Sequence, residues 1–402
     1  MMKKLSLIIL PVMALYGCNS SSSNSGSIDS CKALNSATFS CEQMLSDIVE
    51  HAVQPTVTSF KTSTQKLAQD TASYCSALET ATNEANALAE VQSAWQQSMA
   101  IWQQLEVMQF GPLATARDEF YSWPLNDSCK VDDEVVSSLA QGYDITNASA
   151  TPARRGLDAL EYLFFHEYTS TSCAASNTTA ALAEWDQKPV TEKRVDRCSF
   201  AEKVATDLQS RAQELETSYD QYAITDALSL QAVVKQISDG LFYIDKQTKD
   251  LKANEALPKS SEGVFNTAHL ESQYAQVSLA HIHNNLIGAK KLLTADGHSG
   301  LNAYLSAVGQ DDLVDSMVNS LTAAIDASSA THITASMNSI IGAAQSDDVA
   351  TCINAVAEST TELEKVCALP APIIKAFTDD LKGRFVLTLN VTPPADAEGE
   401  ND

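Results

Sequence analysis

Residues 94–112 read AWQQSMAIWQQLEVMQFGP. At about 100° per residue, Trp95, Met99, Trp102, Glu106 and Gln109 fall on one stripe, with Phe110 beside it. The period is helical and the stripe aromatic, which predicts a buried helix carrying a carboxylate on its apolar face. Gly111-Pro112 is expected to stop it. The helical reading extends outward: residues 56–110 contain neither Gly nor Pro, residues 190–257 contain only Gly240, and residues 343–369 again contain neither. Ala, Gln, Glu, Leu and Lys fill these stretches and predict long helices. Residues 169–189 turn to Ser, Thr, Asn and Ala, as expected of an inter-domain connection or long loop, and residues 258–263 are a second polar break. The one strand signal is residues 385–391, which alternate apolar with polar. The expected architecture is all-α: two packed helical bundles, residues 31–185 and 186–392, with at most a short strand near the C-terminus. Residues 393–402 read as an acidic, disordered tail. No internal repeat of fixed period stands out.

The start of the chain is a different kind of segment. Lys3 and Lys4 precede an apolar run over residues 5–15, then Gly17 and Cys18. That pattern predicts a secretory leader over residues 1–17, and the run is shorter than the ~20 apolar residues a bilayer core requires. Leu15-Tyr16-Gly17-Cys18 resembles the lipobox of bacterial lipoproteins, whose cysteine is lipidated and becomes the first mature residue. Tyr16 departs from the small residue usual there, and ordinary cleavage with Cys18 left as a thiol is the alternative. Residues 19–27 are Ser, Asn and Gly only, a flexible spacer. Residues 18–30 therefore read as a tether to a membrane, and Asn19, in place of a retention aspartate, favours the outer membrane facing the periplasm. A free periplasmic or cell-surface protein is the alternative.

With Cys18 set aside, the remaining eight cysteines form an even set, which suggests disulfides in an oxidising envelope. None has the close paired spacing of a zinc site. Cys352 with Cys367, and Cys173 with Cys198, are the first pairings to expect; the rest is open. The net charge of −25 makes nucleic acid and anionic lipid headgroups poor direct ligands and favours cationic ones.

Two constellations carry candidate chemistry. In RRGLDALEYLFF, residues 154–165, Leu157, Leu160, Leu163 and Phe164 make an apolar stripe. Asp158 and Glu161, three apart, share one side with Tyr162 and Phe165. Two like charges among aromatics are costly unless a cation or donors neutralise them, so the pair is a candidate oxygen-ligand set for a hard cation. A solvated helix edge, or pairing with Arg154 or Arg155, is the plainer account. In HLESQYAQVSLAHIHNNLIGAKKLL, residues 269–293, a helix would put Glu271, Tyr274, Ser278, His281 and Asn285 in one narrow arc beside an apolar stripe of Ala275, Leu279, Ile282, Leu286 and Leu293. A surface polar face is the plainer reading here too. His281 and His283 would point apart and could not share a metal; His269 and His283 could share a face. The histidines at 51, 166, 298 and 332 show no informative spacing. Gly-rich phosphate loops, nucleophile elbows and His-Glu-x-x-His pairs are absent from the sequence, which disfavours ordinary hydrolases and nucleotide enzymes.

Together these segments resemble the imelysin family of bacterial envelope proteins. The matching residues are Trp95, Trp102, Glu106 and Phe110-Gly111-Pro112, then Trp123-Pro124-Leu125, residues 156–164, and Glu271, Tyr274, Asn284, Asn285 and Gly288. The resemblance implies an all-helical two-bundle fold, a site at the bundle junction and expression linked to iron supply. The family signature is Gly, any residue, His, two residues, Glu; Gly156 and Glu161 match it, while Asp158 stands at the histidine. Some imelysins are classed as metallopeptidases on that His and Glu, and an all-oxygen pair weakens that reading here. The expected function is a lipid-anchored binding component of iron uptake that works beside other envelope proteins. Its ligand would be iron or another hard divalent or trivalent cation, held by Asp158, Glu161, Glu106 and Glu271, with Gly156, Tyr274, Ser278, His281 and Asn285 lining the site. A metallopeptidase using Glu161 as base, and a partner-docking protein without metal, are the alternatives.

Overall fold

The computed structural model describes residues 30–146, 152–168, 170–224, 229–260 and 263–397. The leader, Cys18 and the Ser-rich spacer lie outside the described residues. The fold is all-helical, with no strand among the described residues, and none of its helices is long and apolar enough to cross a membrane.

The first long helix, α1 (Gln54–Thr80), buries Val57, Phe60, Thr64, Leu67, Thr71 and Tyr74 at alternating three- and four-residue spacing, the stripe that a helix needs to pack on neighbours. It turns into α2 (Glu84–Leu105) through Ala81 and Asn83, both left-handed. A Gly- and Pro-free run is thus broken by residues that tolerate positive φ less readily than glycine. Helix α2 buries Val91, Ala94, Trp95, Ser98, Met99 and Trp102. Trp102 packs against Phe60 and Phe120 at ring-centroid distances of 5.3 and 4.9 Å. It ends at Leu105, one turn before Gly111-Pro112, so Glu106 sits at the cap.

After α3 (Ser128–Ser137) comes the short α4 (Leu157–Phe165), which carries Asp158 and Glu161 and packs against both α2 and α5 (Val190–Asp220). Helix α5 lies along α1, so the chain crosses the expected boundary at 185/186 without leaving the first bundle. Residues 170–189 of the expected connection are ordered and include a helix, Ala180–Trp185. The second bundle is built from α6 (Leu230–Leu241), a π-helix (Ile244–Asn254), α7 (Ser278–Thr294), α8 (Asp311–Ala327) and short helical turns to residue 389. Helix α7 joins the halves by packing on α2 as well as on α8. At their crossing, Gly288 lies so close to the Gln104 backbone that a Cβ would come within 2.5 Å of its carbonyl oxygen.

Three expectations are corrected here. Residues 385–389 are helical and the helix stops at left-handed Asn390: Leu381, Phe385 and Leu389 are buried four apart while Leu387 is 80% exposed. That period is helical, and the apparent alternation came from the single exposed leucine. The tail is ordered as far as residue 397, with a turn at Ala395–Ala397 and a buried Ala397. Four disulfides join Cys31–Cys41, Cys75–Cys198, Cys129–Cys173 and Cys352–Cys367. The last is as expected, but Cys173 and Cys198 have other partners. Adjacent helices α5 and α1 hold Cys198 beside Cys75 at a Cα separation of 5.5 Å, and the Ser172 backbone and hydroxyl donate to buried Asp132 of α3, which brings Cys173 to Cys129.

Candidate functional site

The junction of the two bundles is filled by polar side chains that are almost wholly buried. At its centre the Lys252 ammonium, on the π-helix, lies 2.7 Å from Glu106 Oε2 and 2.9 Å from Glu271 Oε1, with all three side chains fully buried. Gln103 completes the ring, accepting from Lys252 at 2.6 Å and donating to Glu271 at 3.1 Å. Trp102 and Tyr243 donate to Glu106, and Asn285 donates to the Gln103 carbonyl at 2.7 Å while accepting from Thr248. Burial alone would drive the proton from Lys252, but the two carboxylates outweigh it and hold the ammonium above its usual range. Burial likewise opposes charge on Glu271, yet Lys252 and the His281 ring hold that carboxyl well below the ordinary carboxylate range. His281 Nδ1 lies 3.0 Å from Glu271 Oε2 but off hydrogen-bond alignment, and its Nε2 has no partner.

Beside this ring lies the pair on α4. Glu161 Oε1 accepts from the Ser272 hydroxyl at 2.8 Å and from the backbone N–H groups of Ala275 and Tyr274 at 2.9 and 3.1 Å. Burial pushes the Glu161 carboxyl up, against those donors. The same bonds explain why α7 starts at Ser278 and not near residue 269. Glu161 binds the N–H groups of residues 274 and 275, Ser278 Oγ takes the Ser272 N–H at 3.0 Å, and Gln276 is left-handed, so the segment folds as a turn around the carboxylate. Glu271 and Tyr274 therefore reach the site from a loop, and Ser278, His281 and Asn285 from the helix.

Asp158, like His281, is incompletely partnered in this cluster. It is 6% exposed; Oδ2 accepts from Ser122 at 2.6 Å, and Oδ1 has no partner. It lines a polar cavity of about 140 Å³ together with Tyr162, Tyr274, Gln273, Ser128 and Asp127. Gly156 is required for this placement, since a Cβ there would lie 2.8 Å from the Phe120 carbonyl oxygen and closer still to the Asp158 carboxylate. Burial pushes the Asp158 carboxyl up to about 6, with Ser122 opposing. Relative to the ordinary 3.8, the proton binds more tightly in the folded chain. The associated stability is present below about pH 3.8 and lost as the pH rises through about 6, a difference of about 3 kcal/mol. Asp158→Asn is accordingly expected to raise stability by up to about 3 kcal/mol near pH 7.5, and to give no gain near pH 4, in paired urea melts.

Sequence reasoning placed Glu106, Glu271, Asp158, Glu161 and the α7 residues in one region, and the structure brings them together. It missed Lys252, Gln103, Ser122, Ser272 and Tyr121. The Tyr121 phenol is held well above its usual range by burial, then by Glu271, Glu161, Glu106 and Asp158, which puts it within electrostatic reach of all four carboxylates. His283 turns away toward the Ile325 carbonyl, while His269 reaches Asn266 and Glu255 near the surface. His166 packs against both Tyr162 and Tyr274, and His51 stacks on His298 with centroids 3.6 Å apart, neither of which the spacing had suggested. Among the described residues no three His, Cys, Asp or Glu side chains gather as metal ligands.

Two helical bundles thus share a buried charged junction, with one carboxylate lining a small polar cavity. The family model described as Imelysin, peptidase M75, matches residues 53–363, and the chain belongs to that family. Among solved structures, an imelysin-like protein from Psychrobacter arcticum 273-4 is 15% identical with a TM-score of 0.60, over 88% of this chain and 96% of that one. A protein from Parabacteroides distasonis ATCC 8503, assigned as an iron-regulated protein A precursor, is 16% identical with a TM-score of 0.53, over 84% and 95% of the two chains. These likenesses carry the fold. No curated protein matches the chain.

Proposed function

We propose that this chain is an envelope-anchored component of bacterial iron supply that binds a hydrated or ligand-borne hard cation at Asp158, with a lipid on Cys18 tethering it to the outer membrane. The observation that carries the reading is Asp158, which lines a polar cavity at the bundle junction and keeps one carboxylate oxygen without a partner. Glu161, three residues on, supplies a second negative charge behind it. Glu106 and Glu271 contribute field more than ligation, because Lys252 already occupies them. One free carboxylate oxygen in about 140 Å³ fits an ion that keeps most of its water or arrives with its own ligands. It does not fit a dehydrated transition-metal centre with several protein ligands. The peptidase reading is weaker because Asp158 stands where the family signature has its histidine, so the pair on this helix offers a metal only oxygen.

Calorimetric titration of the mature chain with ferric, ferrous and calcium ions tests the proposal. One site is expected near pH 7.5, weakening toward pH 5 as Asp158 takes up its proton, and weakening about tenfold or more in Asp158→Asn. Equal affinity in the wild type and in Asp158→Asn would overturn it. Because that variant is expected to be the more stable, loss of binding in it cannot be ascribed to unfolding.

A further inference from the structure

A second cavity, of about 270 Å³, opens where Arg117 meets the start of the π-helix. It shares no lining residue with the Asp158 cavity. Its charge is opposite in sign to the rest of the molecule. In a chain of net charge −25, its lining carries the cations Arg117 and Lys246, and its one acidic residue, Asp239, is paired with Lys235 at 2.6 and 2.7 Å. The amides of Gln109 and Gln247 and the ring of Tyr243 add neutral polar surface.

Arg117 is poorly satisfied for a guanidinium with five donors. Nη2 reaches the Tyr243 hydroxyl at 3.4 Å and the Trp123 carbonyl at 3.5 Å, and Nη1 lies 3.5 Å from the exposed Asp118. Nε is buried without a partner. Nε and Nη2 form the edge of the guanidinium that meets a carboxylate through two parallel hydrogen bonds. On Arg117 that edge carries one empty donor and one donor with only long contacts. Burial works against its charge, while Tyr243, Glu106 and Asp118 outweigh burial and keep it protonated. We infer that this cavity binds a small carboxylate-bearing anion, gripped by Arg117 and attracted by Lys246.

The size and surroundings narrow the class. The volume lies just below the ~300 Å³ at which pockets for drug-sized molecules begin, so the occupant is a small metabolite-sized acid and not a peptide or a glycan chain. Glu106 lies directly behind Tyr243, whose hydroxyl donates to it at 2.9 Å. That negative charge disfavours a compact dianion such as phosphate against an acid whose charges are spread along a chain. Tyr243 and Glu106 also place the cavity next to the Lys252 ring, so an anion on Arg117 would be felt by the buried cluster through one hydrogen bond.

Titrating the mature chain with succinate at constant ionic strength, by calorimetry and by thermal shift, tests this inference. Saturable one-site binding with a rise in Tm is expected, weakened about tenfold or more in Arg117→Gln and by a smaller factor in Lys246→Gln, whose ammonium also lies 3.8 Å from Asp250. Asp158→Asn is expected to bind succinate as the wild type does. If Arg117→Gln fails to fold, Lys246→Gln and the wild-type titration still decide. No saturable binding, an affinity unchanged in both variants, or inorganic phosphate binding as tightly as succinate would each overturn it.

Discussion

Lys252→Ala is expected to cost about 3–5 kcal/mol of folding stability, measured as the shift of a guanidinium chloride midpoint at unchanged slope. The ammonium bridges Glu106 and Glu271 in a region from which water is excluded, all three side chains being fully buried. Deleting it leaves two carboxylates and the Gln103 side-chain amide oxygen without their shared donor, and an unpaired buried charge is far more costly than the pair is stabilising. The companion variant makes the argument specific. Lys252→Met with Glu106→Gln and Glu271→Gln removes all three charges together and is expected to recover most of the loss, because a neutral junction pays no ionic desolvation. If the single and triple variants are equally unstable, packing of the lysine stem is what matters and the charge argument fails.

Gly288→Val is expected to cost about 3 kcal/mol or more. Three atoms of the Gln104 backbone lie 2.5–3.1 Å from where the Cβ would be, and backbone in the last turn of α2 cannot move aside as a flexible side chain would. The strain would part α7 from α2 at the crossing that holds Asn285 on Gln103, so loosening of the Lys252 ring should follow. Gly383→Ala is the control: nothing lies within 4 Å of its Cβ position, and the substitution should be neutral or slightly stabilising in the same melts.

The contrast between these two predictions also marks what could be read from the sequence. The stripe through Trp95, Met99 and Trp102, and the spacing of Val57, Phe60, Thr64 and Leu67, are local periodicities that packing rewards directly, so helices α1 and α2 were legible. The break between them was not, because Ala81 and Asn83 adopt positive φ without the glycine that would have announced it. At the C-terminus, seven residues proved too few to tell strand from helix; the decisive repeat of Leu381, Phe385 and Leu389 began before the window. Asp158 and Glu161 could be picked out because two acids on an apolar helix demand an explanation. Their hydrogen-bond donors, and the cation beside Glu106, could not: Ser122, Ser272 and Lys252 come from segments 36, 111 and 146 residues away from Asp158, Glu161 and Glu106 respectively, a relation that only the tertiary fold creates. The same holds for Glu271, whose inclusion in the site was right while its helix was not, since the turn around Glu161 is dictated by a side chain from the other bundle.

The central claim is that Asp158 holds a cation at the bundle junction. It is tested most directly by an anomalous-difference map from crystals of the mature chain soaked, near pH 7.5, with a ferric or manganese salt. The account predicts one strong peak in the cavity bounded by Tyr162 and Tyr274, about 2.0–2.6 Å from Asp158 Oδ1, and no such peak in Asp158→Asn crystals soaked in parallel. A peak that persists in the variant, or a wild-type map with density only at the protein surface, would contradict it.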